Sequence, residues 1–131
     1  MNDKLTVFIV DDDWVFLEML KDYLSELKEF KIVPFQNGED ALNNLHLNPQ
    51  LVIMDYYLNN HSNTARNGLE IMKDIKATNK NIRTIILSAK NDLEAIYQLN
   101  RENINEFIIK DQEAFTKIQQ IILHYAHSTN V

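Results

Sequence analysis

Five short apolar runs recur along the chain, Leu5 to Val10, Lys31 to Phe35, Leu51 to Met54, Thr84 to Leu87 and Phe107 to Ile109, with longer amphipathic stretches between them. They are rich in Ile, Val and Phe and nearly continuous in hydrophobicity, the pattern of strands buried on both faces of a parallel sheet. The first intervening stretch sets Phe16, Met19, Leu20, Tyr23, Leu24 and Leu27 at helical spacing, which predicts one buried helix face. Leu42 and Leu45, then Leu69, Met72 and Ile75, then Leu93, Ile96 and Tyr97, and finally Phe115, Ile118, Ile122 and Tyr125 predict four more helices. Strand and helix alternate five times. Right-handed crossovers wind such a series into a doubly wound α/β fold with a five-stranded parallel sheet. Ligands of these sheets bind beyond the carboxyl ends of the strands, near the point where strand order reverses.

The 131 residues, 45% of them hydrophobic, suit one domain spanning 1–131. Two glycines, two prolines and no repeat argue against linkers and solenoids. The lack of cysteine excludes disulfides, thiolate nucleophiles and cysteine zinc sites, and agrees with a cytoplasmic setting. A polar start, an apolar run of only six residues and three aspartates after it fit neither a signal peptide nor a membrane span. A net charge of −6 with no offsetting Lys/Arg cluster disfavours direct nucleic-acid binding.

The strand ends carry the chemistry. Asp11, Asp12 and Asp13 follow the first, Asp55 ends the third, Ser88 ends the fourth with Ala89 next, and Lys110 ends the fifth. Carboxylates converging on one rim repel one another unless a cation sits among them, and oxygen-only ligation suits a hard ion such as Mg2+. A hydroxyl and an ammonium beside it complete a cradle for phosphate.

Val-Asp-Asp-Asp after strand one, Val-Ile-Met-Asp at strand three, Leu-Ser-Ala at strand four and Phe-Ile-Ile-Lys at strand five resemble the response-regulator receiver domains of bacterial two-component signalling. The resemblance covers nearly the whole chain and implies a flavodoxin-like (βα)5 fold. It also implies that Asp55 is the phosphoacceptor. Asp12 would bind Mg2+ directly, Asp11 through water, and the backbone carbonyl of Tyr57 would add a ligand. Ser88 and Lys110 would hold the phosphoryl oxygens, Ala89 would leave room for the phosphodonor, and Phe107 would switch together with Ser88. Tyr57 and Lys90 would flank the line of water attack on the acyl phosphate and slow its loss. The implied donor is a sensor histidine kinase or histidine phosphotransfer protein. The implied output is a downstream protein bound by the fourth helix, fifth strand and fifth helix, with Tyr97, Arg101 and Asp111 on that surface. The protein would be a monomer or a phosphorylation-dependent dimer, either standing alone or cut from a longer regulator, with no output domain in this chain.

Two features depart from the family. Receivers commonly have proline four residues after the phosphoacceptor and glycine four further on; here Asn59 takes the first place and the glycine arrives at Gly68, so the Asn59 to Asn67 loop is longer. It is either a solvated loop or a lid or partner-recognition element beside Asp55. Asp111 stands where many receivers carry a proline after a cis bond, and the residue types leave the Lys110–Asp111 peptide open between trans and strained.

Plainer roles compete. Aspartates at helix starts cap them, and Asp13 is assigned that role alone. Ser88, Lys110 and Phe107 taken singly fit a turn, a solvated lysine and a core aromatic; their joint occurrence at successive strand ends favours the phosphate cradle. His46, His61, His124 and His127 read as surface imidazoles, and Trp14 and Tyr23 as packing residues. The rival functions are a Mg2+-dependent phosphohydrolase with an aspartate nucleophile, for which Asp11 and Asp13 give a weak match, and a binding module that is never phosphorylated.

Overall fold

The computed structural model describes residues 4–58, 67–89, 98 and 104–129. A five-stranded parallel sheet is built from β1 (Leu5–Val10), β2 (Phe30–Phe35), β3 (Leu51–Asp55), β4 (Arg83–Ser88) and β5 (Glu106–Ile109). Its strand order is β2-β1-β3-β4-β5, so the order reverses between β1 and β3. The helices whose bounds lie within the described residues are α1 (Trp14–Leu24), α2 (Gly38–Leu42), α3 (Gly68–Thr78) and the C-terminal α4 (Ala114–Thr129). The helix expected around Leu93, Ile96 and Tyr97 lies outside the described residues.

Alternation along each strand divides the core in two. Val7, Ile9, Leu51, Ile53, Ile85 and Leu87 face α1 and α4, while Phe8, Val10, Val52, Met54 and Ile86 face α2 and α3. The central strands are buried on both faces as expected, but the edge strands are not. β2 buries fully only Phe30 and β5 only Ile108. Having a neighbour on one side only, β2 also accommodates Pro34, which has no N–H for a second ladder.

The helix faces are narrower than the periodicity predicts. On α1 the sheet buries Leu17, Leu20 and Leu24, whereas Met19 and Tyr23 stay exposed and Leu27 lies past the helix end. On α4 the fully buried positions are Ala114, Ile118, Ile122 and Ala126, with Phe115 and Tyr125 only partly covered. The stretch with Leu42 and Leu45 becomes a five-residue helix and a 3-10 turn at Leu45–Leu47, ended by Asn48 at a φ of 58°. Leu69, Met72 and Ile75 are buried on α3 as expected.

Candidate functional site

The parallel register brings the carboxyl ends of β1, β3, β4 and β5 to one rim. Asp11 continues the β1 ladder, its N–H donating to the Phe35 carbonyl at 3.1 Å, and its side chain is 1% exposed. One oxygen accepts from the Asp13 N–H at 2.9 Å and the other from Lys110 Nζ at 2.6 Å. Asp13 caps α1, accepting from the Phe16 N–H at 3.1 Å, so its assigned capping role holds. Asp11, Asp12 and Asp55 each offer a carboxylate oxygen within 4.8 Å of the other two. Oxygen donors packed this closely suit a hard divalent cation.

Lys110 bridges the acids. Its Nζ lies 3.8 Å from Asp55 Oδ2 as well as 2.6 Å from Asp11 Oδ2. Its backbone N–H donates to the Ser88 carbonyl at 2.8 Å, tying the end of β5 to that of β4. The Lys110–Asp111 peptide is trans, and the ammonium still reaches both carboxylates. Ser88 is fully buried, and among the described residues its Oγ meets no hydrogen-bond partner. A buried hydroxyl left unpaired is costly, and such groups mark sites that receive a further polar partner.

The electrostatics follow from burial. Desolvation first, and then the charge of Asp11, pushes the Asp55 carboxyl up to about 7 from 3.8, with Lys110 and the Tyr57 N–H pulling the other way. Desolvation also lifts Asp11, a rise that the Lys110 hydrogen bond does not fully offset. For Lys110, burial works against the charge, but the hydrogen bond to Asp11 and the charges of Asp55 and Asp11 outweigh it and raise its pKa. Burial and mutual repulsion thus disfavour full ionisation of the carboxyls at this rim.

Ala89 is exposed beside Ser88. Tyr57 is 47% exposed, with its ring edge-on to Tyr56 at 4.9 Å. Phe107 is 40% exposed on β5 and lines a groove of about 540 Å³ with Ile109, Lys117, Ile121 and His124. His46, His124 and His127 are exposed. Lys90, Tyr97, Arg101, His61 and the loop from Asn59 as far as 66 lie outside the described residues. One side chain at the rim was missed: Phe16, assigned only to the helix face, has its ring centroid 4.3 Å from Lys110 Nζ.

Comparison with known proteins agrees with this geometry. A profile of the response regulator receiver domain matches residues 7–122. The chain belongs to that family. It is 28% identical over 131 residues to the transcriptional regulatory protein MalR of Bacillus subtilis, covering 97% of this chain and 52% of MalR. It is 30% identical over 106 residues to a cyclic di-GMP phosphodiesterase of Thermotoga maritima, covering 81% of this chain and 27% of that protein. The chain thus spans about half the length of regulators such as MalR, 52%, and DegU of Brevibacillus brevis, 50%. Among solved structures, the beryllofluoride-activated DrrB receiver domain superposes with a TM-score of 0.80 at 21% identity, covering 95% of this chain and 98% of that one. The phosphorylated cyanobacterial phytochrome response regulator RcpA gives 0.81 at 20% identity, covering 96% of each. This receiver domain is of the class that takes phosphate on an aspartate in two-component systems. No helix among the described residues is long and apolar enough to cross a membrane.

Proposed function

We propose that the receiver works as a switch in which Asp55 accepts a phosphoryl group from a histidine kinase or histidine phosphotransfer protein. The observation that carries this is the meeting of three carboxylates within 4.8 Å, with Lys110 3.8 Å from Asp55. Asp11, Asp12, Asp55 and the Tyr57 carbonyl would hold Mg2+, which when bound supplies positive charge that neutralises the transferring group. An Asp55 oxygen forms the bond to phosphorus as the bond from phosphorus to the donor imidazole breaks, and the imidazole keeps the electron pair. Lys110 then moves its charge from Asp11 toward the new phosphoryl oxygens, and the Ser88 hydroxyl gains the acceptor it lacks. The Lys110 ammonium already lies 3.8 Å from Asp55 Oδ2.

The donor must cover this rim. Trp14, Val15 and Met19 on α1 are 50%, 65% and 56% exposed beside it, an apolar seat for such a partner. The downstream partner is assigned to the groove between β5 and α4, where Phe107 responds to Ser88. Its chemistry rests on Lys117 and Glu106 flanking apolar Ile109 and Ile121. Among similar folds, RcsB forms dimers bound to DNA; in this chain, with its charge of −6, any DNA contact would fall to a joined or recruited partner. With a histidine-kinase donor, the switch would act in the cytoplasm.

The deciding experiment is incubation with Mg2+ and acetyl phosphate, or with beryllofluoride, followed by intact-mass detection. One adduct per chain, absent in Asp55→Asn, is expected. No adduct under either condition would overturn the proposal, and multiple turnover of a phosphate ester would favour a phosphohydrolase instead.

A further inference from the structure

We infer that Phe16 is a positioning residue for phosphoryl transfer, holding the Lys110 ammonium over its ring so that the charge stays between Asp11 and Asp55. The inference rests on the proposed role of Asp55 and concerns how its cationic neighbour is held. Lys110 is the last residue before a turn, its side chain is 24% exposed, and among the described residues the carboxylates within 4 Å of its ammonium are Asp11 and Asp55. Once Asp55 is phosphorylated the ammonium must loosen its 2.6 Å contact with Asp11, and a long flexible side chain released from one anchor gains access to solvent. The Phe16 ring, centred 4.3 Å from Nζ, supplies a second anchor that does not compete with the phosphoryl group for hydrogen bonds.

The ring is itself fixed. Phe16 lies in the first turn of α1, where its N–H donates to the Asp13 cap at 3.1 Å, so the residue that directly follows the pocket aspartates Asp11 and Asp12 sets the aromatic position. The ring also packs edge-on against Phe115 of α4 at 5.4 Å. Phe115 packs on Tyr23 at 5.5 Å, and the Tyr23 hydroxyl lies 3.3 Å from Thr116 Oγ1. Helical periodicity accounts for a large apolar residue at position 16. It does not account for one whose ring meets an ammonium while only partly buried. A ring held between two helices can present a constant face to a lysine that has to change partners.

The test is the rate of Asp55 labelling by acetyl phosphate with saturating Mg2+, on the full 131-residue chain. Phe16→Leu, which keeps apolar bulk but removes the ring, is expected to slow labelling about five- to tenfold, and Phe16→Tyr or Phe16→Trp to restore it to within about twofold. In a Lys110→Met background, Phe16→Leu is expected to change the remaining rate by less than about twofold, because the ring then has no cation to hold. If Phe16→Leu does not fold, as judged by circular dichroism, Phe16→Met takes its place. Equal rates for the Leu, Tyr and wild-type proteins would overturn the inference, as would an undiminished Leu effect in the Lys110→Met background. A wild type that takes no label would instead overturn the proposed function of Asp55, and this inference with it.

Discussion

Gly68 meets a steric demand that a side chain cannot. A Cβ there would lie 2.2 Å from the Asp55 carbonyl oxygen and 3.1 Å from Tyr56 Cα, so the start of α3 is pressed against the end of the strand that carries the acceptor. Gly68→Ala must push these segments apart and is expected to cost about 1–3 kcal/mol in urea unfolding, with weakened Mg2+ binding because the Asp55 backbone moves. A stability change near zero would show that the contact relaxes freely. Tyr57, half exposed above the same backbone, is expected to shield the acyl phosphate. Tyr57→Asn should therefore shorten the phosphoryl lifetime by about threefold or more, measured by loss of the mass adduct, and an unchanged or longer lifetime would contradict the shielding. The sequence made Asp11, Asp12, Asp55, Ser88 and Lys110 legible because each ends or follows a strand, and parallel strands deliver their ends to one rim. Phe16 was not legible as a site residue. Periodicity says which side of α1 meets the sheet, but not that Lys110 arrives from β5 beside it.

At the scale of elements, strand positions were readable to within a residue, because apolar runs of that length between helices have few other uses. Helix faces were less so. The run from Phe16 to Leu27 holds more apolar side chains than the sheet covers, and Met19 and Tyr23 are the surplus. The long segment after Asp55 shows how an altered loop is tolerated. Asn67 accepts from the Glu70 N–H at 2.9 Å while Glu70 accepts from the Asn67 N–H at 3.0 Å, a reciprocal capping box. The Gly68 N–H donates to the Tyr56 carbonyl at 2.8 Å. The start of α3 is thus set by its capping box and by its contact with the end of β3. Asn67→Ala should cost about 1 kcal/mol, read as a lowered urea midpoint at constant slope. A loss well below that would mean the loop itself, rather than the box, fixes the helix.

Folding the whole molecule drives carboxylates out of water at one rim, and this links its stability to pH. Asp55 ionises near 3.8 when solvated but near 7 in the fold, chiefly through desolvation and then through the charge of Asp11. Between those values the folded protein keeps a proton that the unfolded chain has released, so ionisation disfavours the fold. The contribution from Asp55 is fully present below 3.8 and is lost as pH rises through about 7. In chelator, melting temperature should therefore carry a falling component from about pH 4 to about pH 7, and Asp55→Asn should remove that component. Near pH 8 the variant should be the more stable, by an amount on the order of a few kcal/mol. A divalent cation reverses the sign of the problem, because it binds the ionised carboxylates of the folded state and adds stability by mass action. Protons compete for the same oxygens, so the gain in melting temperature from millimolar Mg2+ should be larger near pH 8 than near pH 5.5. Equal gains at both pH values, or a pH component that persists in Asp55→Asn, would show that the acidic rim is not where folding and cation binding meet.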